Sequence, residues 1–176
     1  MSEPTISTPS APAALRVVGI LPTPQALAWA DIAALPRREV GPLAVVCMTG
    51  RQVRAERTYA GPLLKDLLAH CGLAGLPRPR LKQSLVLCRA ADGYRAIFTW
   101  HELFNTRVGE GVLVVQERGG ESAGEAADER LTLISAEDLR GGPRNLQRLV
   151  SVELAVLPGE GGLSALPSGP GSAGRT

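Results

Sequence analysis

Cys47 is the residue of this sequence whose surroundings best suit binding a soft metal. It ends an apolar run, PLAVVCMTGRQ, which changes at Thr49-Gly50 into a basic segment. A thiolate is a good ligand for a soft metal, and the nearby Arg51, Arg54 and Arg57 would lower the pKa of a thiol and attract a phosphate group. The alternative is that Cys47 is a small hydrophobic side chain at the end of a buried strand, as most free cysteines are.

Two further residues are candidates for catalysis. His101 begins the pair His101-Glu102 directly after a predicted strand, where it suits an acid or base; an exposed helix start with an acidic first turn explains the pair equally well. Tyr94 follows Asp92-Gly93, a dipeptide that favours a hairpin turn, with the tyrosine packing on the sheet. Both residues are therefore retained as catalytic candidates beside these structural explanations.

The three cysteines are Cys47, Cys71 and Cys88, an odd number at wide spacing. This pattern fits neither a disulfide framework nor a zinc site, so reduced thiols are predicted. A redox or trace-metal sensor is one further hypothesis for them, and it requires exposed cysteines of low pKa. The apolar residues on both sides of Cys88 predict that this thiol is buried.

Charge and composition exclude several classes of partner. Nineteen Lys and Arg against seventeen Asp and Glu leave a net charge of +2, and only six residues are aromatic, which argues against nucleic acid. No stretch approaches the roughly 18 apolar residues that span a bilayer. The N-terminus has acidic and hydroxyl residues where a signal peptide has basic ones, so a cytoplasmic location is predicted.

Hydrophobic periodicity and turn residues predict an α+β domain with mixed or antiparallel sheets and short helices. The composition of residues 1–14 and 158–176 is that of flexible tails, which leaves 15–157 as the folded domain. A strand over 39–48 is predicted to be buried on both faces because it is apolar almost throughout. The predicted helices lie between Thr23 and Pro36, within 59–73, and over 100–105 with Thr99 as the cap. The other predicted strands cover 15–20, 84–90, 94–100, 111–117, 131–135 and 149–156, with loops around Pro77 and over 118–130.

The order of these segments resembles the oxidoreductase molybdopterin-binding domain, the sulfite oxidase type of molybdenum-cofactor fold. The most specific pieces are YAGPLLKDLL, with an aromatic residue and a glycine before an Asp-Leu-Leu helix, and DGYRAIFTWHEL, with Asp-Gly-Tyr before a strand and an acidic-Leu pair. The similarity covers residues 15–157 and is greatest to the short bacterial members that have this domain alone. It implies the fold of that family for the present chain.

The same resemblance implies a cofactor and a set of ligands. Cofactor-bearing members bind molybdenum through a cysteine thiolate, alongside the dithiolene of the pterin, at the end of a strand that precedes the YAGPLL segment. Cys47 is at that position. Arg51, Arg54, Arg144 and Arg148 would then contact the pterin phosphate, and the chemistry would be two-electron oxygen-atom transfer to or from a small-molecule substrate or a redox partner protein.

The sequence also departs from the pattern of full-size members. Nothing in residues 1–40 matches their Arg-Asn-His element, and the closing segment from Gly142 to Arg148 lacks their tryptophan. These two differences leave a second hypothesis open: a binding or accessory module that has the same fold and no cofactor.

Overall fold

A computed structural model describes residues 13–119, 121–122 and 131–157. The tails predicted over 1–14 and 158–176 lie almost wholly outside these residues. The strands are β1 (Leu15–Gly19), β2 (Gln25–Leu27), β3 (Arg37–Val46), β4 (Gln52–Pro62), β5 (Ser84–Ala90), β6 (Arg95–Thr99), β7 (Val112–Val115), β8 (Glu117–Arg118), β9 (Glu121–Ser122), β10 (Thr132–Ser135) and β11 (Leu149–Val156). The α-helices are α1 (Trp29–Ala33), α2 (Leu64–His70), α3 (Arg78–Lys82) and α4 (Trp100–Asn105).

The main hydrophobic core is built on a five-stranded sheet with the order β2-β1-β11-β5-β6. β1 and β11 are parallel, whereas the other neighbours are antiparallel. In β5 every second side chain is buried, as expected for a strand with one face on a core. The apolar sides of α2 and α4 pack in the same core, through Leu67 and Leu103 for example.

A second, smaller hydrophobic cluster lies between a four-stranded sheet, ordered β3-β4-β8-β9, and the antiparallel pair β7-β10. An isolated bridge between Leu63 and Leu113 joins the end of β4 to β7. Tyr59 of β4 and Ile134 of β10 are buried in this cluster. The predicted α+β class with mixed and antiparallel sheets and short helices is confirmed.

Strand β3 differs from its prediction, because half of its residues are exposed and only Val45 is buried. The sequence suggested a strand covered on both faces. β3 is instead the edge strand of its sheet and pairs with β4 alone, over a hairpin with several register irregularities. An edge strand has a neighbour on one side only, so more of β3 is open to solvent than in a strand at the centre of a sheet.

The helix predicted within 59–73 begins later, at Leu64, because residues 52–62 form β4. Gly61 shows the physical reason for an extended backbone here. A Cβ atom at this position would lie 2.0 Å from the carbonyl oxygen of Val114, so β4 and β7 approach more closely than any side chain permits. Gly72 follows the helix end in the left-handed region, as its predicted role at the C-terminus requires.

Local signals predicted the β5–β6 hairpin and α4 correctly. The Asp92 carboxylate accepts a hydrogen bond from the Tyr94 N–H in the turn. Thr99 caps α4, and its hydroxyl and the Glu102 carboxylate form a capping box. Two expectations were wrong in detail: the segment before Pro36 contains a strand as well as a helix, and α3 occupies the predicted loop after Pro77. Most of the loop predicted over 118–130 lies outside the described residues.

Candidate functional site

Cys47 lies in the tight turn of the β3–β4 hairpin, directly after β3. Its N–H donates to the carbonyl oxygen of Arg51, and its own carbonyl accepts from the N–H of Gly50. Gly142 packs against this tip: a Cβ atom at Gly142 would lie 2.6 Å from the carbonyl oxygen of Val46 and 3.1 Å from the Cα atom of Cys47. The turn is therefore held by its own hydrogen bonds and by the segment around Gly142.

The Cys47 thiol is partly exposed, and its Sγ atom lies 2.9 Å from the Thr49 hydroxyl. That hydrogen bond is the main cause of a Cys47 pKa lowered to about 7, with backbone hydrogen bonds and the charge of Arg51 acting in the same direction. Burial instead raises the pKa of Cys71 to about 11 and that of Cys88 to about 12. The alternative of a buried hydrophobic side chain is thus wrong for Cys47, while the burial predicted for Cys88 is confirmed. Cys71 is buried as well.

A second feature of the same hairpin is a cavity of about 110 Å³, called here the arginine pocket. β4 and β8 supply most of its wall. Arg54 and Arg57 are three residues apart, a spacing that in a regular strand places side chains on opposite faces. The register between β3 and β4 shifts at this point, since Arg57 pairs with Leu43 and Arg54 with Val45. The pocket is lined by Arg54, Ala55, Arg57, Tyr59, Arg118 and Gln147.

Arg144 forms hydrogen bonds and ion pairs with other side chains of the protein. Its guanidinium donates two hydrogen bonds of 2.6 Å to the Asp138 carboxylate and one of 3.0 Å to Glu102, and it lies 4.5 Å from the Phe98 ring centroid. Although burial opposes the shift, these carboxylates raise the pKa of Arg144. The arrangement ties α4 and β6 to the 138–144 loop, so the prediction that Arg144 contacts a cofactor phosphate gains no support from its position.

The remaining predicted residues, Arg51, Arg148, Tyr94 and His101, lie in four different places. Arg51 follows the hairpin turn beside Cys47 and is exposed, whereas Arg148 is exposed on the approach to β11. The Tyr94 hydroxyl donates to the carbonyl oxygen of Pro143 at 2.8 Å. Tyr94 also lines a cavity of about 290 Å³ together with Gly142, Asn145 and Gln147. His101 is exposed on α4, with its ring 5.2 Å from that of Trp100, and it lines neither the arginine pocket nor the Tyr94 cavity.

Residues 142–147 contact the Cys47 turn and line both the Tyr94 cavity and the arginine pocket. Leu146 forms a bridge to Leu133 of β10 through two backbone hydrogen bonds, which leaves the side chains on either side of it outside the core. Asn145 lines the Tyr94 cavity and a third cavity, of about 90 Å³, between β3 and the 134–141 segment. Gln147 lines the Tyr94 cavity and the arginine pocket. The candidate site is therefore the surface around residues 142–147, with Cys47 on one side and the arginine pocket on another.

Sequence reasoning missed several residues of this surface. Arg118 and Gln147 were not singled out, since Arg118 is in a charged stretch that suggested a loop. Ser135 was also missed; its hydroxyl is buried at the third cavity and has no hydrogen-bond partner among the described residues. Thr49 was missed as a partner of the Cys47 thiol as well, although a hydroxyl two residues after a cysteine in a turn can reach the sulfur.

No group of three or more His, Cys, Asp or Glu side chains suited to hold a metal occurs in the described part of the chain. The sequence resemblance implies a metal with one protein ligand, Cys47, and with other ligands that a cofactor supplies. A single partly exposed thiol beside arginine side chains fits such a group. Among the described residues there is also no helix with the length and apolar character needed to cross a membrane.

Comparison with known proteins shows a similarity of fold and no match of sequence to a family or curated protein. Among solved structures, the sulfane dehydrogenase SoxCD from Paracoccus pantotrophus is similar, with a TM-score of 0.58 and 14% sequence identity. The match covers 80% of this chain, which spans 37% of the length of that one. At this identity the similarity shows a related fold alone, and it agrees with the predicted sulfite oxidase-type fold.

Proposed function

We propose that this chain is a molybdopterin-binding oxidoreductase domain in which Cys47 ligates molybdenum. The observation that supports this most directly is the state of the Cys47 thiol. It is presented at a hairpin turn, partly exposed, with a pKa near 7, whereas the other two cysteines are buried. The related fold of an enzyme described as a sulfane dehydrogenase gives independent support for an oxidoreductase domain.

The residues around Cys47 have defined parts in this proposal. Thr49 hydrogen bonds to the sulfur and favours the thiolate, the form that binds a metal. Arg51 and Arg54 supply positive charge on the same hairpin for the phosphate of the pterin. Arg144 holds the 138–144 loop through Asp138 and Glu102 and thereby positions the segment against which the Cys47 turn packs. When bound, the molybdenum cofactor supplies two-electron oxygen-atom transfer.

Metal analysis tests the proposal directly. The wild-type protein and Cys47→Ser are purified from a host that makes molybdenum cofactor, and molybdenum is measured by elemental analysis together with the thiolate-to-metal absorption band. We expect close to one molybdenum per chain in the wild type and loss of the metal or the band in Cys47→Ser. Cys71→Ser is the matched control, since that thiol is buried away from the hairpin. A wild-type protein without molybdenum would refute the proposal and favour the cofactor-free module.

A further inference from the structure

The third cavity lies along the free edge of β3. Four consecutive residues of this strand, 43–46, line it. Because successive side chains of a strand point to opposite faces, a cavity on one face would be lined by alternate residues only. Within the described part of the chain β3 pairs with β4 alone, so its other side has backbone N–H and C=O groups without a strand partner. The cavity therefore lies beside an unpaired strand edge.

The wall of the third cavity combines apolar residues with a buried hydroxyl that lacks a partner. Leu43, Val45 and Ile134 are among the apolar residues. Ser135, at the end of β10, also lines the cavity, and its hydroxyl has no hydrogen-bond partner among the described residues. A buried hydroxyl in this state costs roughly 1–3 kcal/mol. A ligand that gives it a hydrogen bond recovers part of this free energy.

The rim of the cavity has exposed apolar side chains next to positive charge. Leu139 lines the cavity and is 95% exposed, and Met48, in the turn that follows β3, is 74% exposed. Arg140 is exposed and forms no ion pair with a described residue. Its guanidinium lies beside the same turn, since a Cβ atom at Gly50 would be 3.8 Å from it. Exposed apolar residues beside a free cation favour a partner that is both apolar and acidic.

We propose that the β3 edge and the third cavity bind an extended, acidic segment of a partner protein. The segment adds to β3 as a further strand through main-chain hydrogen bonds, and one of its aliphatic side chains enters the cavity. A volume of about 90 Å³ suits a side chain of the size of valine, since a cavity of roughly 150 Å³ holds benzene. An acidic residue of the segment pairs with Arg140. The site requires neither a metal nor Cys47 and so goes beyond the proposed function.

Peptide binding to cofactor-free protein tests the inference. The probe is a fluorescein-labelled peptide, Asp-Thr-Val-Thr-Val-Thr-Asp, and fluorescence anisotropy measures its binding at constant ionic strength. We expect saturable binding with a dissociation constant below about 1 mM, as for a small interface. Replacing both Val by Ser removes the side chain for the cavity, replacing both Asp by Lys reverses the charge, and methylating the backbone nitrogens removes the strand donors. Each change should weaken binding. Absence of saturable binding, or equal affinity for any of the three altered peptides, would overturn the inference.

Ser135→Ala separates a part in binding from a part in folding. It should weaken binding of the probe by about fivefold, through loss of a hydrogen bond. It should also raise the urea midpoint of the free protein, because it removes a buried hydroxyl that has no partner. A residue that only supports the fold would not change the two quantities in opposite directions. Unchanged binding in Ser135→Ala would exclude this hydroxyl from the site.

Two further variants have matched controls. Ala44→Phe places a large side chain at the cavity wall and should abolish saturable binding, whereas Ala26→Phe changes an exposed position of β2 in the other sheet. Arg140→Gln should weaken binding by about three- to fivefold, as loss of an exposed ion pair does, and Arg95→Gln on β6 is its control. Both controls should bind as the wild type does, and urea denaturation shows that each variant folds. Wild-type affinity in Ala44→Phe would overturn the inference. Molybdenum content is a separate measurement, so either proposal can fail without the other.

Discussion

The hydrogen bond from the Thr49 hydroxyl is the largest cause of the low pKa of the Cys47 thiol. In cofactor-free protein, alkylation of Cys47 by iodoacetamide should therefore rise with pH through a midpoint near 7, because the thiolate is the reacting form. Thr49→Val should move the midpoint upward, toward the ordinary value of 9.0. Mass spectrometry of peptides measures the rates site by site. An unchanged midpoint in Thr49→Val would show that the hydroxyl does not set the pKa.

Arg144 is the residue whose loss should harm stability most among the predicted site arginines. Its partner Asp138 has a side chain only 10% exposed, so Arg144→Ala leaves an almost buried carboxylate without its counter-charge. Breaking such a pair costs about 3 kcal/mol or more of the free energy of unfolding. Urea denaturation at pH 7 measures it, with the exposed Arg95→Ala as the control, expected within about 0.5 kcal/mol of wild type. Similar values for both variants would contradict a structural part for Arg144.

At the scale of the elements, β4 depends on the absence of a side chain at Gly61. Gly61→Ala places a methyl group 2.0 Å from the Val114 carbonyl oxygen, so β4 and β7 must separate. We expect a loss of about 2–3 kcal/mol in the free energy of unfolding, a size typical of forced overpacking. Gly75→Ala is the matched control, since no atom lies within 4 Å of the added methyl group. Equal urea midpoints for the two variants would show that the strands adjust without cost.

Helix α4 gives a pH-dependent prediction through its capping box. Burial opposes the shift, but hydrogen bonds from Thr99 and Arg144 lower the pKa of Glu102 below its usual 4.5. A carboxyl with a lowered pKa contributes stability at pH values above its unfolded-state pKa, and this contribution disappears as pH falls through the folded-state value. Glu102→Gln should therefore cost about 1–2 kcal/mol at pH 7 and progressively less below about pH 4. A difference that stays constant with pH would contradict a charged role for Glu102.

At the scale of the whole molecule, Cys47 belongs to neither hydrophobic cluster. Cys47→Ser should therefore unfold at the same urea midpoint as wild type when both are made without cofactor. In a host that makes the cofactor, only the wild type should gain stability, because a ligand that binds the folded state alone shifts the equilibrium by mass action. Urea denaturation of the four samples measures these midpoints. Equal midpoints for the two proteins from the cofactor-producing host would argue against a Cys47–metal bond.

Local sequence patterns predicted correctly those features of the fold whose stability depends on residues close together in the chain. Thr99 and Glu102 specify the start of α4, and Asp92-Gly93 specifies the hairpin turn. The apolar residues around Cys88 indicate that its thiol is buried. Each of these features could be predicted from residues within a few positions of one another. The order of segments was enough to indicate the fold, and the position of Cys47 at the end of a strand followed from the apolar run before it.

Tertiary structure alone decided which polar groups meet. The exposure of β3 goes with its place at the sheet edge. The sequence did not predict β4, because the alternation of Val53 and Ala55 with polar residues is weak and stops at Arg57. Arg118 lies near Arg57 only because β4 pairs with β8. The sequence predicts a phosphate contact for Arg144, but it does not show that Asp138 and Glu102 surround this side chain. Such contacts connect residues far apart in the chain, and their energies depend on strand register and burial, which no local pattern encodes.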